Sequence, residues 1–162
     1  MKIIFLDIDG VLNSEKFYRK RGEPNYRFDL EPPYPLCEFD YTSICLLNKI
    51  LKETESYIVV SSTWRIGRSL EELQDLFDEV GIDGKVIGKT KILQERKNFE
   101  KIVRGTEIKM WMDENNFTGN YIIIDDDNDM LPEQQPFFIK TSFWTGITEK
   151  NVEDSIKLLN KI

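Results

Sequence analysis

The chain has 162 residues, 40% of them hydrophobic and 31% charged, with a formal net charge of -7. That length and balance suit one soluble globular domain with a sizeable core and exclude disordered, fibrous and disulfide-stapled scaffolds. The absence of any His removes Ser-His and Cys-His triads, His phosphotransfer and most zinc chemistry, leaving carboxylates, hydroxyls, Lys and Arg for catalysis.

In chain order, Lys2 to Leu6 is a nearly unbroken apolar run ending in acids, the pattern of a central parallel strand covered on both faces. Asp7 and Asp9 interrupt that run too early for a signal-peptide core, and no later stretch nears membrane-spanning length. From Ser14 to Phe39 there is no sustained period; Pro24, Pro32, Pro33 and Pro35 accompany aromatics and the basic Lys16, Arg19, Lys20 and Arg21. This stretch is too long for a routine connection and reads as a small lid or cap insertion at 14–39.

Asp40 or Thr42 can cap a helix with Ile44, Leu47, Ile50 and Leu51 on one face, and Tyr57 to Val60 then reads as a strand ending at Ser61. Ser69 and Glu72 make a capping box before the stripe Leu70, Leu73, Leu76, Phe77 and Val80, with Gly81 at the helix stop. Lys85 to Gly88 suits a short edge strand. Residues 85–109 carry eight basic residues against three acids, while residues 110–135 hold seven acids and no Lys or Arg. A basic border of this kind makes anionic substrates plausible. Arg104-Gly105 leads into a helix with Ile108, Trp111 and Met112, Tyr121 to Ile124 is a buried strand ending in Asp125, Asp126 and Asp127, and Phe137 to Lys140 is a last strand before a helix begun by Thr148. Cys37 and Cys45 fit neither a metal pattern nor a disulfide framework, which points to a reducing cytoplasm.

Alternating strands and helices predict an α/β fold, a three-layer doubly wound and mostly parallel sheet in a single domain spanning 1–162, with ligands beyond the carboxyl ends of the strands. Asp7 with Asp9, Ser61, and Asp125 to Asp127 end three different strands there. Carboxylates held together need a cation, and an all-oxygen set favours Mg²⁺ or Ca²⁺, with Mg²⁺ plus phosphate the natural pairing. Asp7 and Asp9 have the spacing for a carboxylate nucleophile and a second carboxylate that protonates the leaving group, and Gly10 permits the sharp exit that leaves both facing the cleft.

DIDGVLN at 7–13, IVVSSTWR at 58–65 and YIIIDDDND at 121–129 resemble the haloacid dehalogenase (HAD) superfamily of phosphohydrolases. Adding RGTEIKMWM at 104–112 and IKTSFWTGIT at 139–148, the chain is most similar to the HAD domains associated with bacterial and phage RNA-repair proteins. The resemblance implies a HAD-like Rossmannoid fold with a minimal cap, Asp7 as nucleophile, and Asp9 as general acid and base with its backbone carbonyl on Mg²⁺. It further implies Asp126 as a metal ligand, Asp125 supporting the metal, and Ser61 on a phosphoryl oxygen. Asp127 and Asp129 are further acidic candidates. Arg104 best fits the place of the family's usual Lys, with Lys101 as the alternative; Val11 stands where many members carry Thr. Ser62 through its backbone amide, Gly10 and Arg65 complete the substrate side, packing being the other reading of Arg65.

The expected function is a Mg²⁺-dependent phosphomonoester hydrolase working through an aspartyl-phosphate, with a fairly open rim suited to a bulky phosphorylated end and polynucleotide 3'-phosphatase as the preferred specialisation. The alternatives are a small-molecule or nucleotide phosphatase and a catalytically silent metal- and phosphate-binding module. The cations and rings of residues 16–21 also suit single-stranded nucleic acid. A receiver domain fits poorly, because the middle strand ends in Ser61 rather than an acid.

Overall fold

The computed structural model describes residues 1–22, 38–93 and 103–161. Strands β1 (Lys2–Leu6), β2 (Tyr57–Val60), β3 (Val86–Lys89), β4 (Asn120–Asp125) and β5 (Phe138–Lys140) form one sheet in the order β3-β2-β1-β4-β5. Every pairing is parallel, so the sheet goes beyond the mostly parallel expectation. Leu6 is level with Val60 on one side and with Ile124 on the other. The next residue on each strand is Asp7, Ser61 or Asp125, so register alone brings these three to one rim.

Parallel strands need crossovers, and these supply the outer layers. Helices α2 (Tyr41–Thr54), α3 (Leu70–Val80) and α5 (Glu149–Leu159) follow in order around α4 (Arg104–Glu114). Successive side chains of β1 point to opposite faces. Ile4 and Leu6 join Leu47, Ile50, Leu73, Phe77 and Val152 in the larger core, whereas Ile3 and Phe5 meet Ile108, Trp111, Phe117 and Ile123 on the α4 side. Burying each such side chain contributes about 1.5–3 kcal/mol. The helix ends follow their local chemistry: Asp40 caps α2, Ser69 and Glu72 form a capping box on α3, Gly81 closes α3, and Thr148 with Asn151 boxes α5.

One element was not visible in the periodicity. Within the stretch read as irregular, Ser14 accepts a hydrogen bond from Phe17 N at 3.2 Å and starts a six-residue helix, α1 (Glu15–Lys20). It is too short for a periodic stripe, and its anchors are Tyr18 and Glu15, 1% and 5% exposed. The rest of the expected lid, residues 23–37, lies outside the described residues, as do Cys37 and Lys101. Among the described residues no helix is long and apolar enough to cross a membrane.

Candidate active site

The backbone turns sharply after β1. Gly10 has φ +69, and a Cβ there would stand 2.3 Å from the Asp126 carboxyl carbon. An L side chain would therefore meet both a strained conformation and an occupied space. The same turn is tied to the β5 end, because the Thr141 hydroxyl donates to Gly10 O at 2.7 Å and Thr141 N donates to Asp125 O at 2.9 Å.

Asp7, Asp125 and Asp126 converge, one carboxylate oxygen of each lying within 4.8 Å of the others. Asp7 is 6% exposed and Asp125 fully buried. Burial raises the Asp7 pKa above its ordinary value, Arg104 opposing the shift and Asp9 adding to it. Asp125 is pushed up to about 8, first by burial and then by Asp7, and Asp126 to about 6 for the same two reasons. Asp125 Oδ1 accepts from Asp127 N at 2.9 Å, but its buried Oδ2 has no hydrogen-bond donor. An orphaned oxygen beside two more carboxylates is the donor chemistry of a hard divalent cation, and the all-oxygen set fits one.

Arg104, at the start of α4, is the cation of this group. Its guanidinium lies 3.3 Å from Asp7 Oδ1 and 3.7 Å from Asp125 Oδ2, and donates to Ser61 O. Burial works against the charged form, but Asp7, Asp125, Asp129 and Glu107 outweigh it and keep the Arg104 pKa above its ordinary value. A cation at a helix N-terminus opposes the macrodipole, and the structure compensates. Asp129 Oδ2 accepts from Arg104 N at 2.9 Å, and Asp129 O accepts from Gly105 N at 3.2 Å. Gly105 lets this helix start sit against the 130–134 segment, since a Cβ there would stand 2.5 Å from Leu131 N. Gln134 completes the joint by donating to Gly105 O at 2.8 Å.

Asp9 faces a different set of partners. Trp64 Nε1 donates to its Oδ2 at 3.1 Å and Asn13 Nδ2 to its Oδ1 at 2.9 Å, while Asn13 Oδ1 accepts from Gly10 N at 3.0 Å. The Asp9 side chain thus stands outside the three-carboxylate group. Ser61 is fully buried with no hydrogen-bond partner on its hydroxyl. The Ser62 hydroxyl accepts from Trp64 N at 3.4 Å and favours the charged form of Asp7. Asp127 is exposed, and Asp129 serves α4 rather than the carboxylate cluster.

Arg65 requires a correction. It is 4% exposed, and its guanidinium donates to Thr90 O at 2.8 Å, to Ser61 O and Ser62 O at 2.5 and 2.7 Å, and to Glu107 Oε2 at 2.6 Å. Every nitrogen is committed to the protein, so Arg65 holds the β2 end in place and does not face substrate. Asn13, Trp64, Thr141 and Glu107 carry parts of the site that sequence reasoning left without roles. All four lie inside the quoted motifs, where a polar or indole side chain beside the strand ends was the available signal.

A parallel sheet with clustered carboxylates, a largely buried guanidinium and hydroxyls at one rim is the arrangement expected of a HAD-type phosphohydrolase. The family model for the HAD domain in Swiss Army Knife RNA repair proteins matches residues 3–152, and the chain belongs to that family. No curated protein and no solved structure matched the chain.

Proposed function

We propose that the protein is a Mg²⁺-dependent phosphomonoesterase that removes phosphate from polynucleotide ends, with a 3'-phosphate as the preferred substrate. The observation that carries this is the convergence of Arg104, Asp125 and Asp126 on the buried carboxylate of Asp7. The preference for a polynucleotide rests on membership of a family described from RNA repair proteins.

In the first step Asp7 attacks the phosphorus, the phosphorus–oxygen bond to the leaving group breaks, and Asp9 in its acid form gives the departing oxygen a proton. In the second step Asp9 takes a proton from water as that water attacks the aspartyl-phosphate, releasing inorganic phosphate and restoring the Asp7 carboxylate. Trp64 and Asn13 hold the Asp9 carboxylate from two sides, and such fixed geometry is what makes proton transfer efficient. Arg104 opposes the loss of charge that burial imposes on Asp7 and sets a guanidinium beside the transferred phosphoryl oxygens. The Ser61 and Ser62 hydroxyls line the same end of β2 as hydrogen-bond partners for those oxygens. Asp7, Asp125 and Asp126, with the Asp9 carbonyl, would hold Mg²⁺, which when bound supplies positive charge against the carboxylates and the phosphoryl group.

The test is Mg²⁺-dependent phosphate release from 3'-phosphorylated and 5'-phosphorylated oligonucleotides and from an aryl phosphate, with Asp7→Asn as control. Release from the 3' end that disappears in the variant is expected. Turnover of the aryl phosphate alone would return the site to small substrates, and release that survives Asp7→Asn would remove the nucleophile from this account.

A further inference from the structure

Beside the rim lies a second surface that the chemistry does not use. It is formed by α1 and the loop after β5, which are joined through backbone bonds from Glu15 N to Phe143 O at 2.9 Å and from Lys16 N to Trp144 O at 3.0 Å. Both halves begin at the catalytic turn. Asn13, two residues before α1, holds Asp9, and Thr141, three residues before Trp144, holds Gly10 O.

The side chains on this surface are unusual for an acidic protein. Trp144 is 60% exposed, an apolar area that folding leaves in water. The Arg19 guanidinium lies 5.4 Å from the Trp144 ring centroid while its Nε holds Glu15 Oε1 at 2.7 Å. This pair braces the indole against α1. Lys16 and Lys20 are exposed on the same helix, and neither has a carboxylate partner among the described residues. Phe17 is partly exposed beside them. The only acid on α1, Glu15, is 5% exposed and already paired, so the charges that α1 itself presents outward are all positive, on a chain whose net charge is -7.

We propose that this face binds the single-stranded polynucleotide leading to the phosphorylated end, with a base stacked on Trp144 and backbone phosphates on Lys16 and Lys20. A ring for a base beside cations for phosphates is the combination that recognises single strands without reading sequence. An anionic membrane could take the same lysines and indole, but the face adjoins the catalytic turn through Asn13 and Thr141, where the strand leading to a phosphorylated end must pass. The six residues of α1 rise about 9 Å, room for roughly two or three nucleotides at about 3.4 Å each when stacked. The proposal deepens the polynucleotide reading of the active site and rests on it for the direction of the strand.

The test measures binding of a fluorescent single-stranded RNA with hydroxyl ends to the full chain with Mg²⁺, for wild type, Trp144→Ala, Trp144→Phe and Lys16→Glu/Lys20→Glu, beside aryl phosphate turnover by each. Trp144→Ala should weaken binding about fivefold or more, the loss that one unstacked base implies, with Trp144→Phe between it and wild type. The double variant should weaken binding and make the plot of log affinity against log salt shallower by about 1.4. Aryl phosphate turnover should be unchanged in all three variants. RNA that does not bind wild type, or binds all variants equally, overturns the proposal. Anionic vesicles bound through the same residues in place of RNA would assign the face to lipid and overturn it as well. Binding that depends on Trp144 without phosphate release would keep this surface and sink the enzymatic reading. Release from an oligonucleotide end that is indifferent to all three variants would do the reverse.

Discussion

Two arginines that reach the first turn of α4, the buried Arg65 and the largely buried Arg104, differ in how well they are satisfied. Arg65 meets Glu107 of α4 at 2.6 Å and three backbone carbonyls at 2.5 to 2.8 Å. Arg104, at the start of α4, shares the Ser61 carbonyl with Arg65 and meets its carboxylates Asp7 and Asp125 at 3.3 and 3.7 Å. Around it remain the unpartnered Ser61 hydroxyl, Asp125 Oδ2 and Asp129 Oδ1. A buried polar group left unsatisfied costs about 1–3 kcal/mol, so these three atoms make the second cluster more expensive than the first, beside which only the Thr90 hydroxyl is left unpaired among the described residues. The difference separates structure from function: Arg65 pins the end of β2 to α4, and the Arg104 group keeps its capacity for a cation and a phosphoryl group. Stability conceded at a reactive site is a recurrent trade in enzymes.

That contrast can be broken most severely at Arg65. Arg65→Met strands the Glu107 carboxylate and the Ser62 and Thr90 carbonyls, Ser61 O keeping Arg104, and it should cost about 3–5 kcal/mol in urea denaturation. Arg104→Ala should instead lower phosphate release on the order of 10²- to 10³-fold while disturbing stability clearly less than Arg65→Met does. Arg104→Lys, which retains the charge but not the fork, should fall between wild type and Arg104→Ala in steady-state turnover. Equal stability losses at the two arginines would erase the distinction.

A smaller effect concerns pH and metal. Asp125 and Asp126 titrate at about 8 and about 6 in the folded protein, above the ordinary 3.8. The folded state therefore binds more protons than the unfolded chain over that window, and stability falls as pH rises from about 4 to about 8. A bound divalent cation offsets the repulsion between the ionised carboxylates, so Mg²⁺ should raise Tm more at pH 8 than at pH 5. Thermal melts across pH with and without Mg²⁺ check this, and a Mg²⁺ shift independent of pH would contradict it.

Much of the fold was legible because its strands are apolar on both faces and its helices carry strong end signals. Tyr57–Val60, the Ser69 capping box and the Thr148 start could all be read directly. α1 escaped because six residues give no period, and its stability comes from Tyr18 and from bonds to the distant 143–144 loop. In the site, Asp7, Ser61 and Asp125 were visible as strand ends, and Arg104 as a basic residue at a helix start. Strand order was not visible, and it is the order β2-β1-β4 that sets those ends side by side. Arg65 misled for the same reason: an Arg near a phosphate site reads as a ligand until Glu107, forty-two residues later, is seen beside it. Long-range partners of that kind leave no local pattern.

The central claim is that Asp7 becomes phosphorylated. Single turnover of a substrate carrying a radiolabelled phosphate, quenched in acid and followed by proteolysis, tests it most directly. The account predicts transient label on the peptide containing Asp7 and none in Asp7→Asn. Product formed at the normal rate with no protein-bound phosphate at any time would contradict it.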